Sequence, residues 1–403
     1  MLGGIEEQIV AIKMAKQLGM YVITCDFRPD NPGHAYSDEY HNVSITDKEA
    51  VYELAQQLNV DAVVCYALEA GVQSAAYAQE KLGKPTSPYE SVRILSNKNL
   101  FRHFLLENGF NAPRLFSCHN KETARRLMKE HLSENTISLP VVVKPADLWG
   151  SRGVSRVDSM DEYDEALELA FNTSMYGEII VEEYIEGQAL EGDAFAVDGE
   201  LRQYLWSDVY PDTDAPNPIT PTIFCTPAQI TPQEEKAISD TLQRLMNLLN
   251  MKTNAYNIEI RLVRDKDVMK VYLMEVAPRN GGNSLPVYSR LATTTDMIKG
   301  TLLAALGESC QHITHISCKG FWANCVMHTN KEGLFNGIRM TEAFEANNFV
   351  AAYPGVKIGE HVHPYSGTNM SLGTLFARFK TRAELDAFRS SQQNYFTIDV
   401  VSE

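Results

Sequence analysis

The sequence predicts an α/β protein built from two or three structural units, and three observations carry the prediction. Helical and strand-like segments alternate over the first 95 residues, as in a parallel sheet with crossover helices. Beyond residue 96, β-branched runs joined by short polar turns are interspersed with longer helices, the pattern of mixed α+β units. The chain is also long enough, at 403 residues with 44% apolar side chains, to bury a sizeable core.

The elements follow in order. MLGGIEEQIVAIKMAKQLGMYVITCDF reads as a glycine turn, an amphipathic helix and a short buried strand ending at Asp26. A parallel sheet needs several apolar residues ahead of Gly3, so the first strand is expected to be cut short, or the start to lie further upstream. A helix with a capping box from Thr46 to Glu49 runs to Leu58 and precedes a strand, DAVVCY. SNKNLFRHFLLENGF is a helix stopped by Gly109, and another helix spans about 121–132. LPVVVKPA and VSRVDS form a hairpin across the loop LWGSRG, then a helix opens on a box from Ser159 to Glu162, and GEIIVEEYIEG is a strand. AFAVDGELRQYL turns at Asp198 and Gly199, the stretch from Pro211 to Pro232 is expected to be poorly structured, and a long helix runs from Pro232 to Leu249. YNIEIRLV and MKVYLMEV flank the turn DKD and lead into the irregular loop APRNGGNSLP. Short strands follow, with one helix capped by Thr381 and Glu384.

Composition excludes several functions. A net charge of −16 without a long basic run is wrong for a generic nucleic-acid binder. Seven scattered cysteines, with no pair separated by two residues, argue against a disulfide framework or zinc ribbon and for a reducing compartment. No run of eighteen apolar residues and no basic-then-apolar leader is present, so the expected location is the cytoplasm, with no membrane partner.

The most informative constellation is Glu259 and Glu275. With a three-residue loop centred on Asp267, each lies eight positions from the centre, and the two face each other across adjacent strands. Facing Cβ atoms are roughly 5 Å apart, and like charges there repel. A hard divalent cation such as Mg²⁺ between them is one reading, and an exposed hairpin with two solvated glutamates is the other. Arg279 and Asn280 follow closely enough to reach a phosphate. Lys144 ends an apolar strand, where it is either a phosphate ligand or a solvated strand-end lysine. In LWGSRGV, Gly150, Ser151 and Gly153 allow backbone N–H groups to turn toward an anion, although many hairpin tips look alike. VEEYI offers an adenine slot, with the Glu182 carboxylate and the backbone of Glu183 and Ile185, while Glu191 is a candidate for ribose; surface acids at a strand end are the plainer explanation of each. His361 and His363 alternate in EHVHPY, where such a pair either ligates a metal or, as is commoner, faces solvent, and Cys25 is either a reactive thiol or, as is commoner, a buried structural one.

Taken in order, the LGG turn, SNK with Lys98, VVVKP with Lys144, the glycine loop, VEEYIEG, NIEIR with Glu259 and MEVAPRNGG with Glu275 and Arg279 resemble the ATP-grasp superfamily over nearly the whole chain. YPGVKIGEHVHPY and SLGTLFARF resemble the accessory domain of its biotin-carboxylase-like and purine-synthesis members. The resemblance implies an N-terminal Rossmann-like domain over 1–95, an ATP-grasp domain over 96–305 with a lid at about 114–182, and a small accessory domain over 306–403. It implies Lys98 and Lys144 on the nucleotide phosphates, Glu182, Glu183 and Ile185 on adenine, Glu191 on ribose, Glu259 and Glu275 on Mg²⁺ or Mn²⁺, and Arg279 on the phosphoryl group. Many relatives carry Asn where this chain has Ala277, so a metal contact is missing or moved to Asn280.

The function expected is an ADP-forming carboxylate–amine ligase of the L-amino-acid ligase type, using ATP and Mg²⁺ on small-molecule carboxylate and amine substrates through an acyl phosphate. The alternatives are an ATP-dependent carboxylase of the biotin-carboxylase or aminoimidazole-nucleotide type and a non-catalytic ATP-binding module. Resemblance also implies a homodimer.

Overall fold

The computed structural model describes residues 1–148, 150–266 and 268–402. Trp149 of the glycine loop and Asp267, the expected centre of the hairpin turn, lie outside the described residues.

The N-terminal part contains α1 (Ile9–Gln17), β1 (Ile23–Cys25), β2 (Glu39–His41), α2 (Lys48–Gln57), α3 (Val72–Lys81) and α4 (Tyr89–Leu95), with β1 and β2 parallel. Met1–Gly3 act as a strand stub: Leu2 N–H donates to Val64 O and Gly3 N–H to Cys25 O, each at 2.8 Å. DAVVCY forms no regular strand, because its neighbour on that side is only this three-residue stub. The cap of α2 is Asp47, whose carboxylate accepts from Ala50 N–H at 3.1 Å, and not Thr46, whose hydroxyl is hydrogen-bonded to Ser44.

α5 (Lys98–Glu107) is capped by Asn97 and ends before Gly109, which takes φ +67°. Next come β3 (Leu115–Cys118), α6 (Lys121–Ser133), β4 (Val141–Pro145), β5 (Ser155–Val157), α7 (Met160–Thr173) and β6 (Ile179–Glu183), which build an antiparallel sheet in the order β3-β6-β4-β5. Ala124 and Met128 of α6 and Tyr163, Ala166 and Leu167 of α7 pack on Val141, Val143, Ile179 and Val181 as a separate core. Ser159 precedes α7, but the expected box does not close, since the Glu162 carboxylate accepts from the N–H of Asp158 instead.

β7 (Gln188–Val197), β8 (Glu200–Pro211), β9 (Pro221–Thr226), α8 (Pro232–Leu248), β10 (Asn254–Asp265), β11 (Val268–Ala277), α9 (Leu285–Thr293) and α10 (Met297–Leu306) follow. The remainder holds β12 (Phe321–Val326), β13 (Gly333–Met340), α11 (Glu342–Asn347), β14 (Phe349–Pro354), β15 (His361–Val362), β16 (Gly373–Phe379), α12 (Arg382–Ser390) and β17 (Phe396–Val401). An antiparallel eight-stranded sheet runs β11-β10-β7-β8-β9-β12-β16-β14, so strands from beyond residue 305 continue the sheet that carries Glu259 and Glu275. β9 corrects the expectation of a poorly structured stretch from Pro211 to Pro232. Its prolines flank the strand, while Ile223, Phe224 and Cys225 are buried between β8 and β12. The capping box of Thr381 and Glu384 forms as read. Among the described residues no helix is long and apolar enough to cross a membrane.

Candidate active site

Strict alternation along β10 creates the site. Tyr256, Ile258, Ile260 and Leu262 face the core under α5 and α8, which leaves Asn257 and Glu259 on the opposite face. β7 does the same, with Leu190, Ala194 and Ala196 in that core and Glu191 and Asp193 turned away. β11 keeps the parity only through a bulge. The hairpin pairs Asp265 with Val268 and Ile260 with Leu273, a register that would set Glu259 opposite Met274. Met274 is the extra residue, so Glu259 pairs with Glu275 after all and Val276 returns to the core.

Glu191, Glu259 and Glu275 therefore stand in one row across three adjacent strands, with Asp193, Asn257 and Ala277 in the next row. Asn257 Nδ2 donates to Asp193 Oδ1 at 3.2 Å and to Glu191 Oε1 at 3.4 Å, and Gly281 N–H donates to Asp193 at 3.1 Å. Burial, and then the charge of Glu259, hold the Glu191 carboxyl well above the usual carboxylate range. Burial pushes Asp193 up to about 7. Burial and the charge of Glu275 push Glu259 in the same direction, but its side chain opens to the cleft, where water tempers the shift. This concentration of oxygen ligands and negative charge fits a hard divalent cation, which would relieve the repulsion.

The cations lie around this row. Arg279 is held by Glu69, with Nε to Oε2 at 2.8 Å, and donates from Nη1 to Asn257 Oδ1 at 3.4 Å. Lys144 is ion-paired with Glu182, whose other oxygen accepts from Arg102 Nε at 3.0 Å. Burial works to raise the Glu182 carboxyl, yet Arg102 and Lys144 outweigh it and hold it at about 2. Burial also lowers the Lys144 ammonium below its ordinary range. Lys98, at the first turn of α5, donates to Leu148 O beside the glycine loop, and its charge, like that of Lys144, reaches Glu259. Gly150, Ser151 and Gly153 take φ of +69°, +58° and +68°. Two of the loop's carbonyls are occupied: Thr368 N–H donates to Gly150 O at 3.2 Å and Asn217 Nδ2 to Ser151 O at 3.1 Å.

The structure thus brings together Lys98, Lys144, Glu182, Glu191, Glu259, Glu275 and Arg279. Two of them, and Asn280 outside that group, stand in surroundings the sequence did not indicate. Glu191, read for ribose, belongs to the carboxylate row because β7 pairs directly with β10. Glu182, read for adenine, has each carboxylate oxygen in an ion pair. Asn280, read as catalytic or as a displaced metal ligand, is buried behind the site, where its Oδ1 accepts from Thr301 at 2.8 Å. The side chain of Glu183 pairs with Arg114, and its N–H donates to Arg114 O. Ile185 follows the end of β6 and is half-buried. Cys25 is buried, its thiol pushed up to about 11 by burial. Sequence reasoning missed Asp193, Asn257, Arg102 and Glu69. Asp193 and Asn257 each lie two residues from a glutamate of the row, and Arg102 lies one helical turn after Lys98, so period-two and i,i+4 spacing could have found all three.

Residues 137–286 match the family model of the ATP-grasp domain. The chain carries an ATP-grasp domain. The surrounding architecture has the ATP-grasp fold as well. The L-amino acid ligase of Bacillus licheniformis superposes with a TM-score of 0.80 at 22% identity, covering 100% of this chain and 98% of that one. N5-carboxyaminoimidazole ribonucleotide synthetase of Thermotoga maritima superposes with 0.72 at 17% identity, with coverage of 100% and 98%. The ATP-grasp enzyme fsqD of Aspergillus fumigatus is 33% identical over 143 residues, 35% of this chain and 23% of that protein. The chain spans only 22% to 27% of the length of the first curated relatives it matches.

Proposed function

We propose that the protein is an ADP-forming ligase that uses ATP to join a small-molecule carboxylate to an amine. The observation that carries this reading is the row of Glu191, Glu259 and Glu275 on three adjacent strands, with Lys98, Lys144 and Arg279 around it. Glu259 and Glu275, with Glu191 beside them, would hold Mg²⁺, or Mn²⁺ in its place, and the bound ion would neutralise charge on ATP during transfer of its γ-phosphate to the carboxylate. The protein's own task is position and charge. Lys98 and Lys144 face the phosphates, which requires Lys144 to exchange Glu182 for nucleotide oxygen. Arg279, kept rigid by Glu69, orients the reacting carboxylate and the acyl phosphate formed from it. The glycine loop covers the phosphates and excludes water, so that an amine is the acceptor.

Asn257 favours turnover over mere nucleotide sensing. It pairs directly across from Ala277, so the neighbouring strand presents an amide beside the position where this chain has lost one. Similarity to the B. licheniformis ligase supports amino acids as substrates. Similarity to the T. maritima synthetase supports bicarbonate as the competing carboxylate, and small-molecule chemistry in the cytoplasm by a homodimer completes the proposal. ADP release should be screened across amino acids, dipeptides and bicarbonate, with hydroxylamine trapping an acyl phosphate as hydroxamate. A hydroxamate from an amino acid supports the ligase, whereas ADP release that needs bicarbonate selects the carboxylase. Glu275→Gln should abolish ADP release while far-ultraviolet circular dichroism stays unchanged; retained turnover would remove Glu275 from the metal site.

A further inference from the structure

We propose that Glu332, His361 and His363 form a surface site for a divalent transition-metal cation of the zinc class, separate from the nucleotide cleft. The two histidines alternate on and just after β15, so extended chain sets them on one face. β15 pairs with β13, with His361 opposite Leu334 and Val362 opposite Gly333. One further step in the same register sets His363 opposite Glu332, which the sequence alone could not bring to the pair. Glu332 Oε1 is 3.3 Å from His363 Nδ1 and 3.8 Å from His361 Nε2, and the ring centroids are 4.7 Å apart.

One ligand atom from each side chain lies within 4.8 Å of the others. Around tetrahedral zinc, with bonds of about 2.0–2.1 Å, such atoms sit roughly 3.3 Å apart. Closing the cluster to that spacing asks for shifts of about an ångström between the ends of exposed side chains. The backbone is already fixed: Phe335 N–H donates to Glu360 O at 2.9 Å and Gly359 N–H to Phe335 O at 2.8 Å. His361 lies on β15, while Glu332 immediately precedes β13 and His363 immediately follows β15, so the strand pairing brings the three together at its end. Two imidazoles and one carboxylate leave a fourth position for water and suit zinc, nickel or copper, whereas Mg²⁺ prefers oxygen alone. The two sites therefore select different ions.

The test is calorimetric titration of the full-length protein with ZnCl₂ in a non-chelating buffer containing excess MgCl₂ to occupy the cleft carboxylates. We expect one Zn²⁺ per chain, weakened at least tenfold by Glu332→Gln and by the double variant His361→Ala/His363→Ala. All three side chains are exposed, so both variants should melt at the wild-type temperature. Co²⁺ supplies a second readout, since visible d–d absorption should appear in the wild type and not in the double variant. Equal Zn²⁺ isotherms for wild type and double variant, or no Zn²⁺ binding by the wild type, would overturn the proposal and leave a simple imidazole–carboxylate contact.

Discussion

Glu182 is the residue around which the cation side of the cleft is organised, and its charge state sets a pH dependence. Its folded value of about 2 lies below the ordinary 4.5, so the ion pairs contribute stability above pH 4.5 and lose it as pH falls toward 2. The shift corresponds to roughly 3 kcal/mol, partly offset because the same burial disfavours the Lys144 ammonium. Arg102→Met strands a buried carboxylate with one partner and should cost about 3 kcal/mol in urea unfolding at pH 7. The gap from wild type should narrow at pH 3, where the variant's carboxylate accepts a proton. A gap of the same size at both pH values would mean that Glu182 is not held as an anion. If Lys144 takes the nucleotide role proposed for it, it starts from a charge-paired state with Glu182.

At the scale of the element, the glycine loop is fastened from outside its own hairpin. A Cβ on Gly150 would lie 2.0 Å from Thr368 Oγ1, at a φ of +69° that L-residues disfavour by about 1–2 kcal/mol. Gly150→Ala should therefore open the loop, raising KM for ATP severalfold with a smaller change in thermal stability. Adding Thr368→Ala should recover part of the loss, and no recovery would place the defect in the backbone alone. None of this was legible beforehand, because Thr368 and Asn217 lie far from Gly150 in sequence. Elements with strong local signals were legible: the β-branched run of β4, the glycine stop of α5 and the capping box of α12 each formed where read. β9 was not, because prolines at its ends mask a six-residue buried strand. Glu259 and Glu275 do face each other, but with Asp265 paired to Val268 and a bulge at Met274 rather than through one regular hairpin. The run VYLMEVA is too uniformly apolar to reveal that bulge.

For the molecule as a whole, the acidic row opposes the fold, because burial and mutual repulsion disfavour its charged forms. Glu191 and Asp193 are buried with raised values, Asp193 from 3.8 to about 7. The folded state keeps those protons after the unfolded chain has released its own, so their contribution is fully present below pH 3.8 and fades as pH rises to about 7. Above that window the folded protein must carry the charges in a confined cleft, and a divalent cation that binds only the folded state restores stability by mass action. At pH 6 protons compete for the same oxygens. The increase in melting temperature produced by MgCl₂ with ADP should therefore be larger at pH 8 than at pH 6, measured by differential scanning calorimetry at fixed ligand concentrations. Glu259→Gln should shrink the increase at pH 8 by removing one ligand, while raising the melting temperature of the ligand-free protein by removing one repelling charge. Opposite signs with and without Mg²⁺ are what separate a metal ligand from an ordinary structural glutamate, and a Glu259→Gln variant less stable in both conditions would count Glu259 as structural.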